Sequence, residues 1–306
     1  MEISLIICSY NRADSLKETL LSLANQSYSK NNWELIVVDN NSTDHTKEVI
    51  DTFATTLPNL IYRFEERQGL SFARNTGINL ARGDIIVFTD DDVLPANNWL
   101  AEIKINMDMY HCDACGGYIS PLWEKAPPAW LTEIFYGYLA IKTDSAGPRQ
   151  LTSSAELPFG ANMAFRKEVF SKFSVFDTNK GRVGNVLSSG EDSDMFQSIL
   201  DGEGMIYYFP HIKVQHKVEA FRTRKNYFRR WRYQSSKNIA ATTDYQGARR
   251  LFNIPVYMIK QTINAIALAC KSYLTDPADI SFRKEMIVWH FFGLIAGIIS
   301  CNSAKK

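Results

Sequence analysis

Short apolar runs alternate with amphipathic segments through the first part of the chain, and this alternation restricts the accessible folds more than any other feature. Runs of strand length lie at Ile3 to Cys8, Glu34 to Asp39, Leu60 to Phe64 and Asp84 to Thr89. The pattern is typical of βαβ units around a sheet covered by helices on both faces. The sequence therefore predicts an α/β fold with a Rossmann-like, mostly parallel sheet.

Helices are predicted between these runs and after the last one. They are Ser15 to Asn25, capped by Asp14; Asp44 to Phe53, capped from Ser42 or Thr43; Ser71 to Ala81; and Asn98 to Met109. Further along, prolines mixed with aromatic residues from Pro121 to Pro148 predict a long loop near a ligand site. A helix from Gly190 to Leu200 and a strand from Met205 to Phe209, extended to His216, complete the predicted globular part.

Composition limits the classes of function. The 306 residues carry a net charge of +1, which argues against general nucleic-acid binding. Five cysteines, an odd number, do not suggest a disulfide framework, so a reducing, cytoplasmic location is expected. Cys112 and Cys115 form a Cys-x2-Cys pair without a second pair to complete a zinc site, which favours packing cysteines at the start of a strand.

The C-terminal part differs in character. Between residues 213 and 250, eleven Lys and Arg residues mix with aromatics, and the apolar segments Leu251 to Cys270 and Met286 to Cys301 follow. The apolar segments are interrupted or shorter than the ~20 residues of a spanning helix. This part, residues 221–306, is predicted to be a helical extension, either a solvated helical domain or a surface that attaches peripherally to the inner face of the cell membrane.

Three consecutive carboxylates follow one predicted buried strand. Asp90, Asp91 and Asp92 come directly after Ile85 to Thr89, at the edge where open α/β sheets bind ligands. Acidic runs also form solvated turns, but carboxylates at this edge repel one another and favour a bound cation. In an extended stretch Asp90 and Asp92 point to the same side. The sequence therefore predicts a site for Mg²⁺ or Mn²⁺ and phosphate.

Five segments occur together in a recognisable order. They are Cys8-Ser9-Tyr10-Asn11-Arg12, Val37-Val38-Asp39-Asn40-Asn41-Ser42-Thr43-Asp44, Ala73-Arg74-Asn75-Thr76-Gly77, Thr89-Asp90-Asp91-Asp92 and Gly190-Glu191-Asp192. Together they resemble the family 2 glycosyltransferases, inverting enzymes with the GT-A nucleotide-diphospho-sugar transferase fold. The resemblance covers residues 1–220. It implies transfer of a sugar from a nucleotide-diphosphate donor, usually UDP-linked, to a saccharide or lipid-linked saccharide in polysaccharide or glycoconjugate synthesis.

The resemblance also assigns residues. The implied donor-binding residues are Ser9, Tyr10, Arg12, Asp39, Arg74, Asp90, Asp91, Gly160 and Asn162. Asp39 would hold the base, and the alternative is that it caps the turn that follows. Arg74 could offset diphosphate charge or be a surface helix arginine. Gly160 and Asn162 would offer backbone and amide donors to the sugar or the acceptor.

Metal and catalytic roles follow from the same resemblance. Asp90 and Asp92 match the metal-binding D-x-D, with Asp92 the stronger candidate, and His216 could add an imidazole ligand or be structural. Glu191 and Asp192 begin a helix, where carboxylates act as caps. Either could instead be the general base that deprotonates an acceptor hydroxyl, and the family pattern favours Asp192.

Other classes of protein fit the sequence less well. A sugar-phosphate nucleotidyltransferase needs a glycine-rich phosphate loop after the first strand, and Ser9 to Ala13 contains no glycine. A dinucleotide dehydrogenase lacks its G-x-G-x-x-G for the same reason, and Leu94 breaks the D-D-x-x-D of prenyl transfer. A non-catalytic nucleotide-sugar binder would have no use for the Glu191-Asp192 pair. The oligomeric state cannot be predicted.

Overall fold

A computed structural model of the protein describes residues 1–181, 190–243, 245, 247 and 249–304. Residues 244, 246, 248, 305 and 306 of the predicted C-terminal extension lie outside the described residues.

The elements up to the acidic residues and the following helix alternate as predicted. They are β1 (Ile3–Ser9), α1 (Ala13–Ala24), β2 (Trp33–Asp39), α2 (Thr46–Thr52), β3 (Leu60–Phe64), α3 (Leu70–Leu80), β4 (Ile85–Asp90), β5 (Val93–Pro95) and α4 (Trp99–Tyr110).

The later elements complete the sheet and add three long helices. They are β6 (Ala114–Trp123), a 3₁₀ helix (Glu133–Leu139), β7 (Arg149–Leu151), two 3₁₀ turns (Ser154–Glu156 and Gly160–Asn162), β8 (Met163–Arg166), α5 (Val169–Lys172), α6 (Glu191–Asp201), β9 (Ile206–Val218), a 3₁₀ turn (Ala220–Thr223), α7 (Lys225–Thr242), a hairpin of β10 (Arg250–Leu251) and β11 (Ile254–Pro255), α8 (Val256–Thr275) and α9 (Ala278–Ala304).

The predicted caps of the first two helices are wrong. The α1 helix begins at Ala13, so Asp14 lies inside its first turn, and the Ala13 N–H donates to Asp44 Oδ2 over 3.1 Å. The other oxygen of Asp44 accepts from the Thr46 N–H over 3.1 Å at the start of α2. One carboxylate therefore serves two helix starts. The contact to α1 spans 31 residues, which local sequence patterns do not reveal.

The main sheet has the order β3-β2-β1-β4-β8-β6-β9-β5 among the described residues, with β7 beside β9. The first four strands are parallel, whereas the β4–β8, β6–β8, β5–β9 and β7–β9 pairs are antiparallel. The strands at the centre of the parallel part are buried on both faces. In β1, Ile3 and Leu5 pack on one face of the sheet, while Ile6 packs on the other.

The chain divides into two compact units. The first comprises Met1–Leu122 and the described parts of 140–185 and 189–217. The second comprises 123–139 and the described parts of 218–306. The sequence predicted one boundary, at residue 220. In the structure, segment 123–139, which lies within the predicted loop near a ligand site, belongs to the second unit.

Aromatic packing explains this division. The ring of Trp130 lies 4.8 Å from that of Phe282 and 5.3 Å from that of Phe228, and Phe135 lies 5.2 Å from Phe282. These side chains pack against one another inside the second unit. This packing holds the proline-containing segment 123–139 in the second unit. Among the described residues, no helix combines the length and apolar character needed to cross a bilayer.

Candidate active site

The carboxyl ends of the parallel strands bring the predicted donor residues together. Ser9, the last residue of β1, is in register with Asp39, the last residue of β2. On the other side of β1, Cys8 is in register with Asp90 at the end of β4. One edge of the sheet thus carries Ser9, Asp39 and Asp90 side by side, where open α/β sheets bind their ligands.

The acidic residues form a turn rather than an extended run. Asp90 ends β4, Asp91 and Asp92 make a turn, and β5 starts at Val93. The expectation that Asp90 and Asp92 share one side of an extended strand is therefore wrong. We refer to Asp90–Asp92 as the acidic turn.

Arg12 offsets part of the negative charge of the acidic turn, and Ser9 donates a hydrogen bond to it. Arg12 Nη2 lies 3.0 Å from Asp92 Oδ2, and Arg12 Nε lies 3.5 Å from Asp91 Oδ1. The Ser9 hydroxyl donates to Asp91 Oδ2 over 2.7 Å. Arg12 and Asp91, expected to contact the donor, thus contact each other, while the nearby Tyr10 is partly exposed.

At Asp90 and Asp91, the effect of burial outweighs that of the nearby positive charges. Burial raises the pKa of Asp91 to about 7, against the lowering effect of Arg12. Burial and the charge of Asp92 raise the pKa of Asp90. Like-charged buried carboxylates with raised pKa values bind a cation favourably, because a cation stabilises their ionised forms.

Two of the three predicted metal ligands, Asp92 and His216, lie in contact. His216 lies on β9, whose pairing with β5 brings His216 opposite Val93, and its Nε2 lies 3.3 Å from Asp92 Oδ1. Both side chains are buried. No cluster of three or more such ligands is preassembled among the described residues. Carboxylate oxygens and an imidazole nevertheless suit Mn²⁺, and phosphate oxygens commonly complete such a shell.

Asp39 is held by two hydrogen bonds. Its Oδ1 accepts from the Ser42 N–H over 2.9 Å, and its Oδ2 accepts from the Tyr62 hydroxyl over 3.1 Å. The first contact is the one expected of a turn cap. Burial, with the negative charge of Asp39, raises the pKa of Tyr62 to about 12. Sequence reasoning missed Tyr62, although its place in β3 beside β2 was a usable signal.

Arg74 has a different environment from either sequence expectation. It lies on α3, it is buried, and its Nη1 contacts Asp192 Oδ1 at 2.5 Å and Glu191 Oε1 at 3.1 Å. Its guanidinium lies 5.0 Å from the Phe176 ring centroid. It is not a surface arginine, and the structure joins it to the predicted catalytic pair rather than leaving it open towards a diphosphate.

Glu191 and Asp192 differ in accessibility. The Glu191 side chain is 6% exposed, and its Oε2 has no hydrogen-bond partner among the described residues. The Asp192 side chain is 21% exposed. Burial raises the pKa of Asp192 to about 6, although the charge of Arg74 lowers it. Asp192 is therefore the carboxylate of this pair that an acceptor can reach, with a pKa suited to a general base near neutral pH.

Gly160 holds Asp192 from the other side. The Gly160 N–H donates to Asp192 Oδ2 over 2.9 Å. The next residue connects this contact to the acidic turn, because the Thr89 hydroxyl donates to the Ala161 carbonyl over 2.8 Å. The backbone of 160–161 thus links the end of β4 to the start of α6.

The side-chain amide of Asn162 forms hydrogen bonds within the protein. Its Oδ1 accepts from Trp99 Nε1 over 2.9 Å, and its Nδ2 donates to the carbonyls of Ile212 and Tyr118 over 3.0 and 3.2 Å. Asn162 is also buried. We correct the expectation that its amide serves the sugar or acceptor, because its oxygen and nitrogen already have partners. Trp99, which sequence reasoning did not select, fixes its orientation.

We expect Gly160→Ala to lower the rate of sugar transfer by about 100-fold, because displacing a general base, the role predicted for Asp192, by an ångström costs about that much. A Cβ at this position would lie 2.5 Å from both Arg74 Nη2 and Asp192 Oδ2. Steady-state kinetics would measure the effect. Gly137→Ala is the matched control, since a Cβ there meets nothing within 4 Å. Equal rates for the two variants would show that Asp192 tolerates displacement.

Comparison with known proteins identifies the family. The sequence profile of glycosyl transferase family 2 matches residues 4–174, more than half of the chain. The chain belongs to glycosyl transferase family 2. A curated relative, glucosyl-dolichyl phosphate glucuronosyltransferase of Haloferax volcanii, is 24% identical over 100% of this chain and 99% of its own length. Glycosyltransferase AglE of the same organism is 38% identical over 38% of this chain and 39% of its own length.

Solved structures show the same fold. The mannosyltransferase PcManGT from Pyrobaculum calidifontis, in complex with GDP-Man and Mn2+, has a TM-score of 0.62 at 21% identity, covering 100% of this chain and 88% of that one. S. aureus TarS 1-349 in complex with UDP-GlcNAc has a TM-score of 0.57 at 16% identity, covering 100% and 92%. The predicted GT-A fold is confirmed. This family 2 protein is a glycosyltransferase.

Proposed function

We propose that this glycosyltransferase is a metal-dependent inverting enzyme that transfers a sugar from a nucleotide-diphosphate donor, UDP-linked in the first instance, to a saccharide or lipid-linked saccharide. The observation that carries this proposal is the position of Asp192. It is a partly exposed carboxylate with a raised pKa, held by Arg74 and Gly160 and connected through 160–161 to the acidic turn.

Donor binding is assigned to the strand ends. Asp39 keeps two oxygens oriented by Ser42 and Tyr62, and an oriented carboxylate can accept hydrogen bonds from a base or ribose. Arg12, beside Asp91 and Asp92, supplies positive charge where a diphosphate would lie.

Mn²⁺ or Mg²⁺ would be held by Asp92, with His216 and Asp90 as further ligands. Such an ion, when bound, stabilises the negative charge of a nucleoside diphosphate leaving group. The paired carboxylate and imidazole at 3.3 Å and the raised pKa values of Asp90 and Asp91 support this assignment. The neighbour PcManGT, which was solved with Mn2+, supports it by analogy.

Asp192 acts as the general base. Its carboxylate takes the proton of the acceptor hydroxyl while that oxygen bonds to the anomeric carbon, and the bond from that carbon to the diphosphate oxygen breaks. One displacement of this kind inverts the anomeric configuration. Arg74 is a positioning residue that fixes Asp192 and lowers its pKa, and Glu191 completes the support of Arg74.

A lipid-linked acceptor is favoured by one relative. The Haloferax volcanii protein that aligns over the whole chain is named a glucosyl-dolichyl phosphate glucuronosyltransferase. Its name describes a glucosyl group carried on dolichyl phosphate. We assign the same acceptor class, a sugar on a polyprenyl phosphate, to this chain.

A transfer assay tests the proposal. UDP-, GDP- and dTDP-sugars are incubated with Mn²⁺ and polyprenyl-phosphate glycosides, and the product is followed by NMR of its anomeric proton. We expect one donor class to be used, with inversion of configuration at the anomeric carbon. Retention at that carbon would contradict a single displacement. Hydrolysis of the donor without transfer to a polyprenyl-phosphate glycoside would contradict the assigned acceptor.

The pH dependence of kcat/KM should follow the ionisation of the Asp192 carboxyl group. The base must be ionised, and burial raises its pKa to about 6, so the ionised fraction and the rate fall as pH drops through about 6. Below that point we expect a fall of about tenfold per pH unit. Removing the Arg74 charge raises the pKa further, so Arg74→Gln should move the acidic limb to higher pH.

Asp194→Asn is the control for this profile. Asp194 lies in the same helical turn, is 47% exposed and pairs with Lys180. Its variant should keep the parent profile. If the acidic limb of the kcat/KM profile lies at the same pH in Arg74→Gln as in the parent, the titrating group is not Asp192.

A further inference from the structure

We propose that the β10–β11 hairpin and the outer face of α8 form a docking surface for an anionic phospholipid bilayer. This surface, called here the lipid face, consists of Leu251, Phe252, Ile263, Ile266 and Leu274 with Arg249, Arg250, Lys260 and Lys271 beside them.

The hairpin presents an apolar side chain to solvent. Phe252 is 87% exposed and Leu251 is 52% exposed. Phe252 has φ 49° and Asn253 has φ 67°, the left-handed region in which a bulky residue is rare. Asn and Gly are preferred in two-residue turns of this kind, so a phenylalanine at this position does not stabilise the turn. Residues kept in unfavourable backbone conformations point to a function.

The α8 helix has two different apolar faces. Met258, Thr262, Ala265, Ala269 and Ser272 are its buried residues. A second, exposed apolar stripe lies about one third of a turn away from these residues, and in it Ile263 is 63% exposed, Ile266 40% and Leu274 89%. At 100° per residue these positions lie within one third of the helix circumference. Ile263 and Leu274 therefore leave most of their apolar surface outside the packing of the second unit.

The positive charge of this part of the chain favours an anionic bilayer as the partner. Residues 249–275 contain two Arg, two Lys and no Asp or Glu. Lys260 and Lys271 are exposed, and the helical period places them together along one border of the stripe. An apolar stripe bordered by lysines is the pattern of helices that lie in a membrane interface, and anionic headgroups attract the cations. A protein partner of neutral charge would not account for the uniform positive sign.

The basic, aromatic segment that the sequence highlighted is not this surface. In α7, Tyr227 and Phe228 are buried, and Arg229 pairs with Glu285 at 2.6 Å. The rings of Tyr227 and Phe228 therefore pack within the second unit.

Vesicle flotation of the full chain tests the inference. Phosphatidylcholine vesicles with and without phosphatidylglycerol are the probes, and donor and acceptor are omitted, so the result does not depend on the proposed function. We expect binding to the anionic vesicles that weakens with salt. The double variant Phe252→Ser/Leu274→Ser should bind about tenfold or more weakly, and Lys260→Glu/Lys271→Glu should lose the preference for phosphatidylglycerol.

The matched control is Leu21→Ser/Met109→Ser, which also removes two exposed apolar side chains, 50% and 67% exposed, but from the first unit. It should bind as the parent does, and circular dichroism would verify the fold of each variant. Equal binding by all variants, or no binding by the parent, would overturn the inference. Self-association in the absence of lipid that the Phe252→Ser/Leu274→Ser variant abolishes would also overturn it, because the surface would then be an interface between copies.

Discussion

Replacing Asp192 by Asn should reduce transfer by about 10²–10⁴-fold, the usual contribution of a positioned general base, while donor affinity stays within a few-fold of the parent. The amide keeps the shape of the side chain, and its oxygen can still accept from Arg74 or from the Gly160 N–H, but its nitrogen is a donor and cannot replace the second acceptor. The loss therefore combines the missing base with one lost hydrogen bond. Initial rates and equilibrium donor binding, measured on the same preparation, separate the two effects.

Asp194→Asn, an exposed change in the same helix, serves as the control and should keep parental rates. Transfer by Asp192→Asn at the parental rate would remove Asp192 as the base. Loss of donor binding together with transfer would place Asp192 in the donor site instead.

The second large effect is expected for Asp92→Asn. This change removes the carboxylate that contacts both His216 and Arg12, and we expect the Mn²⁺-dependent part of donor affinity to fall by about 100-fold. Calorimetric titration of donor with and without Mn²⁺ would measure it. Asp84→Asn, an exposed position beside the opposite end of β4, is the control. An unchanged metal dependence in Asp92→Asn would assign the ion elsewhere.

The sequence predicted the sheet edge correctly because periodicity and strand ends are local properties. The strand Leu60–Phe64 was predicted without error, and β1, β2 and β4 differ from prediction by one residue at one or both ends. Since parallel strands present their carboxyl ends together, Ser9, Asp39 and Asp90 could be placed at one edge from the sequence pattern alone.

Contacts between distant segments could not be predicted in the same way. Arg12 reaches the acidic turn across about eighty residues, and Arg74 reaches Glu191 across 117. Asn162 was predicted to donate hydrogen bonds to a ligand, but its amide is hydrogen-bonded to Trp99 and to two backbone carbonyls. In each case a tertiary contact, absent from the local pattern, decides what the side chain does.

The most direct test of the account is calorimetric titration of the parent protein with UDP and with UDP-sugars, in Mn²⁺ and in excess chelator. We expect binding that requires Mn²⁺, and we expect Asp92→Asn to weaken this binding by about 100-fold. Equally tight binding in chelator would contradict the claim that an ion at the acidic turn joins the protein to the donor diphosphate.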